Sequence, residues 1–128
     1  AIPPTYASID NRLHYLKMDG NKLFKIAVKS LEDTVLETLA SNDIRDCDID
    51  LLIPHQANLR IIQAIAKRLN LPDDKVFVNI HKYGNTSSAS IPIALDEANR
   101  DGRIKPNDLL VFNAFGAGLT WGAVLIRW

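Results

Sequence analysis

The chain has 128 residues, of which 47% are hydrophobic and 23% are charged. That composition is sufficient for one folded domain with an apolar core, and it excludes the intrinsically disordered and collagen-like classes. Fifteen basic residues balance fifteen acidic ones, so the net charge predicts no binding of the whole chain to nucleic acid or to a membrane surface. The single cysteine excludes a disulfide framework and the four-ligand zinc patterns, and no metal site is predicted.

The apolar runs and the first residues indicate the cellular compartment. No run approaches the roughly 18 residues of a membrane span, and a signal peptide is not apparent. We therefore expect a soluble, cytoplasmic protein. The chain opens with Ala-Ile-Pro-Pro and no Met, which indicates a processed product or a fragment.

The first part of the chain predicts a lead-in, a strand and a long helix. Residues 1–12 show no clear period, and apolar residues alternate weakly over 13–18, which favours a strand. Asn21 is a candidate helix N-cap. After it, apolar residues recur every three or four positions to Leu39, which predicts a helix of about five turns.

The rest of the chain alternates between strands and helices. Short apolar runs predict strands at 49–53, 76–80, 109–114 and 119–126. Helical spacing is found at 58–70 and at 86–101, and Pro92 should kink the second of these helices. The order β-α-β-α-β-α-β-β predicts an α/β fold for residues 13–128, with a mostly parallel five-stranded sheet and an antiparallel last strand.

Three turns after predicted strands are the candidate site. Parallel strands would bring 54–58, 83–87 and 116–118 to one edge of the sheet, where α/β proteins bind ligands. An imidazole (His55), a carboxamide (Asn85) and backbone N–H groups would then meet, and such donors stabilise negative charge on a carbonyl oxygen.

Each of these residues also has a structural explanation. His55 fits a capping histidine equally well, and Asn85 beside a glycine fits turn chemistry. The serines at 87, 88 and 90 lack a G-x-S-x-G elbow and are assigned to close helix packing. Cys47 lies before the strand that ends at Pro54, so the sequence offers no nucleophile near His55.

Basic residues are clustered on two predicted helices. Arg60, Lys67 and Arg68 lie opposite the apolar face of the helix at 58–70, which has no acidic residue. Lys25 and its neighbours add positive charge near the start of the first helix. This surface suggests an anionic partner, and an ordinary solvated face explains it equally well.

Three motifs occur in order: PHQANLR at 54–60, YGNTSSAS at 83–90 and FGAGLTWG at 115–122. From residue 13 to residue 128 the chain resembles the C-terminal half of a β-ketoacyl-acyl-carrier-protein synthase III, a condensing enzyme of the thiolase superfamily. The resemblance implies a thiolase-like half-fold. It also implies that a separate N-terminal half carries the catalytic cysteine, so that this chain alone would be inactive.

The resemblance implies roles for individual residues. His55 and Asn85 would be catalytic, the backbone N–H of Ala117 would belong to an oxyanion hole, and Phe115 would line the acyl pocket. The remaining positions would bind the pantetheine arm of coenzyme A (Asn21 and Asn58) or dock the acidic carrier protein (Lys25, Arg60, Lys67 and Arg68). His81 stands where relatives often carry an acidic residue, and no function is assigned to it.

The implied reaction is a decarboxylative condensation that starts fatty acid synthesis. Its substrates would be an acyl-CoA and malonyl-acyl-carrier protein, without a cofactor, and the complete subunit would form a homodimer. Two alternatives stay open: a similar condensing enzyme of secondary metabolism, and a non-catalytic module that only docks a carrier protein.

Overall fold

The computed structural model describes residues 3–15 and 17–128. Five α-helices lie within these ranges: α1 (Tyr6–Asp10), α2 (Gly20–Ala40), α3 (Leu59–Arg68), α4 (Ile80–Tyr83) and α5 (Ser90–Arg100). The same ranges contain three strands: β1 (Leu51–Pro54), β2 (Leu109–Gly116) and β3 (Thr120–Arg127). None of the described helices is both long and apolar enough to cross a membrane.

The strands form one sheet in the order β1-β2-β3. β1 runs parallel to β2, with Leu51 opposite Leu110, and β2 runs antiparallel to β3 from the pair Leu109–Arg127 to the pair Gly116–Thr120. The antiparallel last strand is therefore confirmed. Its loop of three residues is too short for the crossover that a parallel connection needs.

Helices cover the two faces of β1, so the α/β class is confirmed. Successive side chains of a strand point to opposite faces. Leu52 accordingly packs in a core cluster with Val35 of α2 and Ile65 of α3. On the other face, Leu51 packs in a second cluster with Ala98 of α5.

The predicted strand at 13–18 does not form among the residues described. Residues 11–15 are turns, residues 17 and 18 are not in a strand, and residue 16 lies outside the described ranges. The lead-in contains α1 instead, and the backbone donors after it are satisfied locally. Arg12 N donates to the Ile9 carbonyl at 2.9 Å, and Leu13 N donates to the Ser8 carbonyl at 2.8 Å. These local bonds remove the donors that a strand ladder would need.

The predicted strand at 76–80 is reduced to one parallel bridge, between Val76 and Leu52. Phe77 N donates to the Leu52 carbonyl at 2.9 Å. In a parallel ladder the next bond would run from the N–H of residue 54 to the Phe77 carbonyl. Residue 54 is proline and has no N–H, so the ladder stops and the five-stranded sheet is not formed by the described residues.

The carboxamide of Gln56 replaces the missing ladder. This side chain is only 1% exposed. Its Nε2 donates to the carbonyls of Pro54 and Phe77 at 2.8 and 3.2 Å. Its Oε1 accepts the N–H groups of Asn79 and Ile80 at 3.0 and 3.2 Å. Gln56 thus joins the end of β1 to the start of α4.

Two helix starts differ from the predictions. Asp19, and not Asn21, caps α2, because its side chain accepts the N–H of Lys22 at 3.1 Å. Residues 87–89 form a separate 3₁₀ turn before α5 begins at Ser90. Pro92 therefore lies in the first turn of α5, where its missing N–H interrupts no helical hydrogen bond, and the predicted kink is not needed.

Replacing Gln56 by leucine should destabilise the protein. Gln56→Leu keeps the approximate volume but leaves buried backbone groups of Phe77 and Asn79 without partners, at about 1–3 kcal/mol each. We expect a loss of roughly 2–5 kcal/mol in the free energy of unfolding, measured by denaturant titration with circular dichroism. The matched control is Gln63→Leu on the exposed side of α3, which should change it by about 0.5 kcal/mol or less. Equal effects of the two variants would contradict this role of Gln56.

Candidate functional site

A groove opens where the end of β1 meets the β2–β3 hairpin and the first turns of α2 and α3. Its volume is about 1200 Å³. Most of the predicted site residues line it: Asn21, His55, Asn58, Arg60, Asn85, Phe115 and Ala117. The structure therefore brings together the three turns that the sequence placed at one edge of the sheet.

His55 is the first residue after β1, and its backbone extends the pairing with β2. Its N–H donates to the Asn113 carbonyl at 2.8 Å. The ring is half-buried, and its Nδ1 lies 2.6 Å from the hydroxyl oxygen of Ser90. Within the described chain no hydrogen bond involves Nε2, which is the nitrogen available to a ligand. Burial lowers the pKa of His55 below its ordinary value, which favours the neutral ring.

Asn85 follows Gly84, which ends α4 with a φ of 68° that suits glycine. The Oδ1 of Asn85 accepts the N–H of Ser87 at 2.9 Å. Asn85 therefore forms the turn hydrogen bond that its position beside a glycine indicated. The same bond orients the carboxamide. With its oxygen engaged, the side chain presents its NH₂ group, which is a donor.

The β2–β3 hairpin forms a wall of the groove and divides it from a second cavity. Phe115 stacks on Trp121, with ring centroids 6.1 Å apart and planes tilted by 7°. His55 and Phe115 line both the groove and this second cavity of about 490 Å³. Gly118 has a φ of +136°, and a Cβ there would lie 3.3 Å from the Thr120 side chain. A side chain at position 118 would therefore be strained.

The two other predicted asparagines lie at helix starts. Asn58 caps α3, because its Oδ1 accepts the N–H of Arg60 at 2.9 Å. Asn21 is exposed in the first turn of α2. Both line the groove, with the side-chain oxygen of Asn58 already engaged.

The predicted basic residues fall into two groups. Arg60 and Lys67 are exposed and are seven residues apart on α3, which places them on the same side of the helix. The guanidinium of Arg60 lies 5.3 Å from the ring centroid of Phe24. Lys25 is exposed on α2. Arg68 differs because it forms an ion pair with Glu32 of α2, which offsets its charge.

Cys47 is exposed in the 3₁₀ turn Asp46–Asp48, before β1. The length of β1 separates it from His55, so the groove has no thiol from the described residues. Those residues also contain no cluster of three or more His, Cys, Asp or Glu side chains that could hold a metal ion.

Sequence reasoning missed two residues of the site. Gln56 joins β1 to α4, and the proline at 54 was a signal that a ladder donor was missing there. Ser90 was assigned to helix packing, but its hydroxyl contacts His55. No signal in the sequence joins two residues 35 positions apart.

Comparison with known proteins shows similarity to one family. The family model described as "3-Oxoacyl-[acyl-carrier-protein (ACP)] synthase III C terminal" matches residues 39–128. The beta-ketoacyl-[acyl-carrier-protein] synthase III of Blochmanniella floridana is 59% identical over 113 residues, which cover 88% of this chain and 36% of the relative. That of Aquifex aeolicus is 52% identical over 126 residues, which cover 94% of this chain and 41% of the relative.

Solved structures of synthase III enzymes also resemble the chain. The crystal structure of 3-oxoacyl-[acyl-carrier-protein] synthase III from Aquifex aeolicus superposes with a TM-score of 0.87 at 55% identity, over 89% of this chain and 37% of that one. The crystal structure of the synthase III from Thermus thermophilus superposes with a TM-score of 0.85 at 48% identity. The match covers 88% of this chain and 35% of that one. The chain spans about two fifths of the length of these relatives. With a family model that covers most of it and a matching fold, the chain belongs to the family of synthase III C-terminal domains.

Proposed function

We propose that this chain is the C-terminal catalytic half of a β-ketoacyl-acyl-carrier-protein synthase III. The observation that supports this best is the pair of donors at one groove. Among the described residues, His55 Nε2 and the NH₂ group of Asn85 form no hydrogen bond, and both residues line the groove. Donors to the thioester oxygen are what the decarboxylation of a malonyl thioester requires.

The reaction places negative charge on the thioester oxygen. The bond from the malonyl carbon to the carboxylate breaks, carbon dioxide leaves, and the electron pair forms an enolate. His55 and Asn85 donate to the enolate oxygen, which carries full charge only as the reaction proceeds, so the donors lower the barrier. The enolate carbon then attacks an acyl thioester, and the thiolate leaves.

The nucleophile belongs to another part of the protein. We place the acyl-bearing cysteine in an N-terminal half, since Cys47 lies at the far end of β1. The hairpin would contribute the backbone N–H of Ala117 to the oxyanion hole of the acyl thioester, and Phe115 would line the acyl pocket. An alanine at 117 keeps the backbone donor that this role needs.

Exposed apolar residues of β3 are consistent with the same division. Trp121 and Val124 point to opposite faces of the strand and are 49% and 53% exposed. The N-terminal half would cover them. We further propose that the complete subunit is a cytoplasmic homodimer that starts fatty acid synthesis.

The groove would hold the pantetheine arm, and its basic rim would dock the carrier protein. Asn21 and Asn58 line the groove, where pantetheine amides need polar partners. Lys25, Arg60 and Lys67 are exposed on α2 and α3, and Arg60 lines the groove. An acidic carrier would be attracted to them. Acyl-CoA and malonyl-carrier protein would be the substrates, and no cofactor is needed because decarboxylation supplies the electron pair.

Removing either donor should slow decarboxylation. In the full-length protein, His55→Ala or Asn85→Ala should each reduce the rate of carbon dioxide release from malonyl-carrier protein by roughly 10²–10³-fold, the effect of losing one oxyanion donor. The control is His81→Ala, which removes an exposed imidazole on α4 and should leave the rate near that of the parent. Unchanged release in both site variants would favour a module that only docks the carrier.

Reversing two charges should weaken carrier binding. Arg60→Glu with Lys67→Glu is expected to raise the Kd for the carrier by at least about tenfold at low ionic strength, and by less at high salt. The control pair is Arg100→Glu with Lys105→Glu, which makes the same charge change at exposed positions away from the groove. Calorimetry would measure both. Equal weakening by the two pairs would contradict docking at this surface.

His55 should make stability depend on pH. Because burial lowers its pKa in the folded state, the unfolded chain binds a proton first as pH falls below about 6.5. The free energy of unfolding should therefore decrease from that pH down to the lowered pKa. His55→Gln should flatten this part of the profile, and exposed His14→Gln should not. Denaturant titrations at several pH values would measure the free energy of unfolding. If its slope against pH is the same in His55→Gln as in the parent, the contribution of His55 is refuted.

A further inference from the structure

Ser90 lies between the end of β1 and the start of α5. It is the first residue of α5 and is 2% exposed. Its hydroxyl oxygen is 2.6 Å from His55 Nδ1, and it accepts the backbone N–H of Gln56 at 3.1 Å. One buried side chain therefore contacts two consecutive residues that follow β1.

The hydrogen of this hydroxyl has one acceptor among the described residues. A serine hydroxyl donates once and accepts through two lone pairs. The bond from Gln56 N uses a lone pair and leaves the hydrogen free. In α2, the hydroxyls of Thr34 and Thr38 donate to carbonyls one turn earlier, both at 2.7 Å. Ser90 makes no such bond in the described chain, so its hydrogen is left to His55 Nδ1.

We propose that Ser90 is a positioning residue that donates to His55 Nδ1 and thereby fixes the tautomer with its hydrogen on Nε2. This inference rests on the proposed function, in which Nε2–H donates to the enolate oxygen. The opposite tautomer would turn a lone pair toward that oxygen and repel it. A neutral imidazole has both tautomers available, and the partner of one nitrogen decides which nitrogen carries the hydrogen.

The surroundings favour this arrangement. His55 is half-buried, and burial favours its neutral form. The hydroxyl is held in place because the N–H of Gln56 binds it and because Ser90 is buried at the helix start. The donor is therefore positioned before the substrate arrives, which is how an enzyme avoids reorganisation during the reaction.

The tautomer can be read directly in the full-length protein. Histidine labelled with ¹⁵N gives different nitrogen shifts for protonated and unprotonated ring positions, and the His55 signals are those that disappear in His55→Gln. At neutral pH we expect the parent to show an unprotonated Nδ1 and a protonated Nε2. A protonated Nδ1 in the parent would overturn the proposal, and this measurement needs no Ser90 variant to fold.

Kinetics of two Ser90 variants provide a second test. Ser90→Ala should populate both tautomers and lower kcat for malonyl decarboxylation by about 10- to 100-fold, with little change in KM, as for the loss of a group that orients another. Ser90→Thr keeps a hydroxyl and should restore most of the rate and the parent tautomer. The control is Ser41→Ala at the exposed end of α2, with parent rates expected.

If His55→Ala abolishes the reaction while Ser90→Ala keeps the parent tautomer and rate, the role of Ser90 is wrong and the proposed function stands. If His55→Ala has no effect, the proposed function itself fails, whatever the ¹⁵N spectrum shows.

Discussion

The site depends on the missing N–H of Pro54. A parallel ladder beyond the bridge between Leu52 and Val76 needs a donor at residue 54, which proline lacks. The Gln56 carboxamide instead binds the carbonyls of Pro54 and Phe77 and the N–H groups of Asn79 and Ile80. The chain therefore turns into α4 after one bridge, and α4 leads directly to Gly84 and Asn85. The same glutamine follows His55, so one buried amide joins the segment that carries His55 to the helix that precedes Asn85.

Three polar side chains of the groove are each held at one end by a local hydrogen bond. His55 is held through Nδ1 by Ser90, and Asn85 is held through Oδ1 by Ser87. Asn58 is held through Oδ1 by the N–H of Arg60. A side chain fixed by a short local bond loses little further entropy when it binds a ligand, so its free end is already oriented. The turn hydrogen bond of Asn85 is therefore compatible with the catalytic role proposed for its NH₂ group.

Burial is unequal across the sheet. All residues of β1 are buried, whereas β3 alternates between exposed and half-buried positions. Helix α2 also packs against β3, and the exposed part of β3 includes Trp121, which stacks on Phe115. The exposed surface borders the second cavity, which His55 and Phe115 also line.

The three longer helices, the α/β class and the antiparallel last strand followed from the sequence, because apolar periodicity is a local property. The predicted strands at 13–18 and 76–80 did not. The predicted strand order also placed the turns of His55, Asn85 and Ala117 at one edge of the sheet, and the three residues line one groove. Tertiary structure decided the remainder. Whether 76–80 became a strand depended on a donor absent from another segment, and whether Arg68 stayed free depended on Glu32 of a neighbouring helix. Ser90 met His55 only because α5 begins beside the end of β1. Such partners are chosen by packing between segments distant in the chain, and the local pattern of residues does not record that packing.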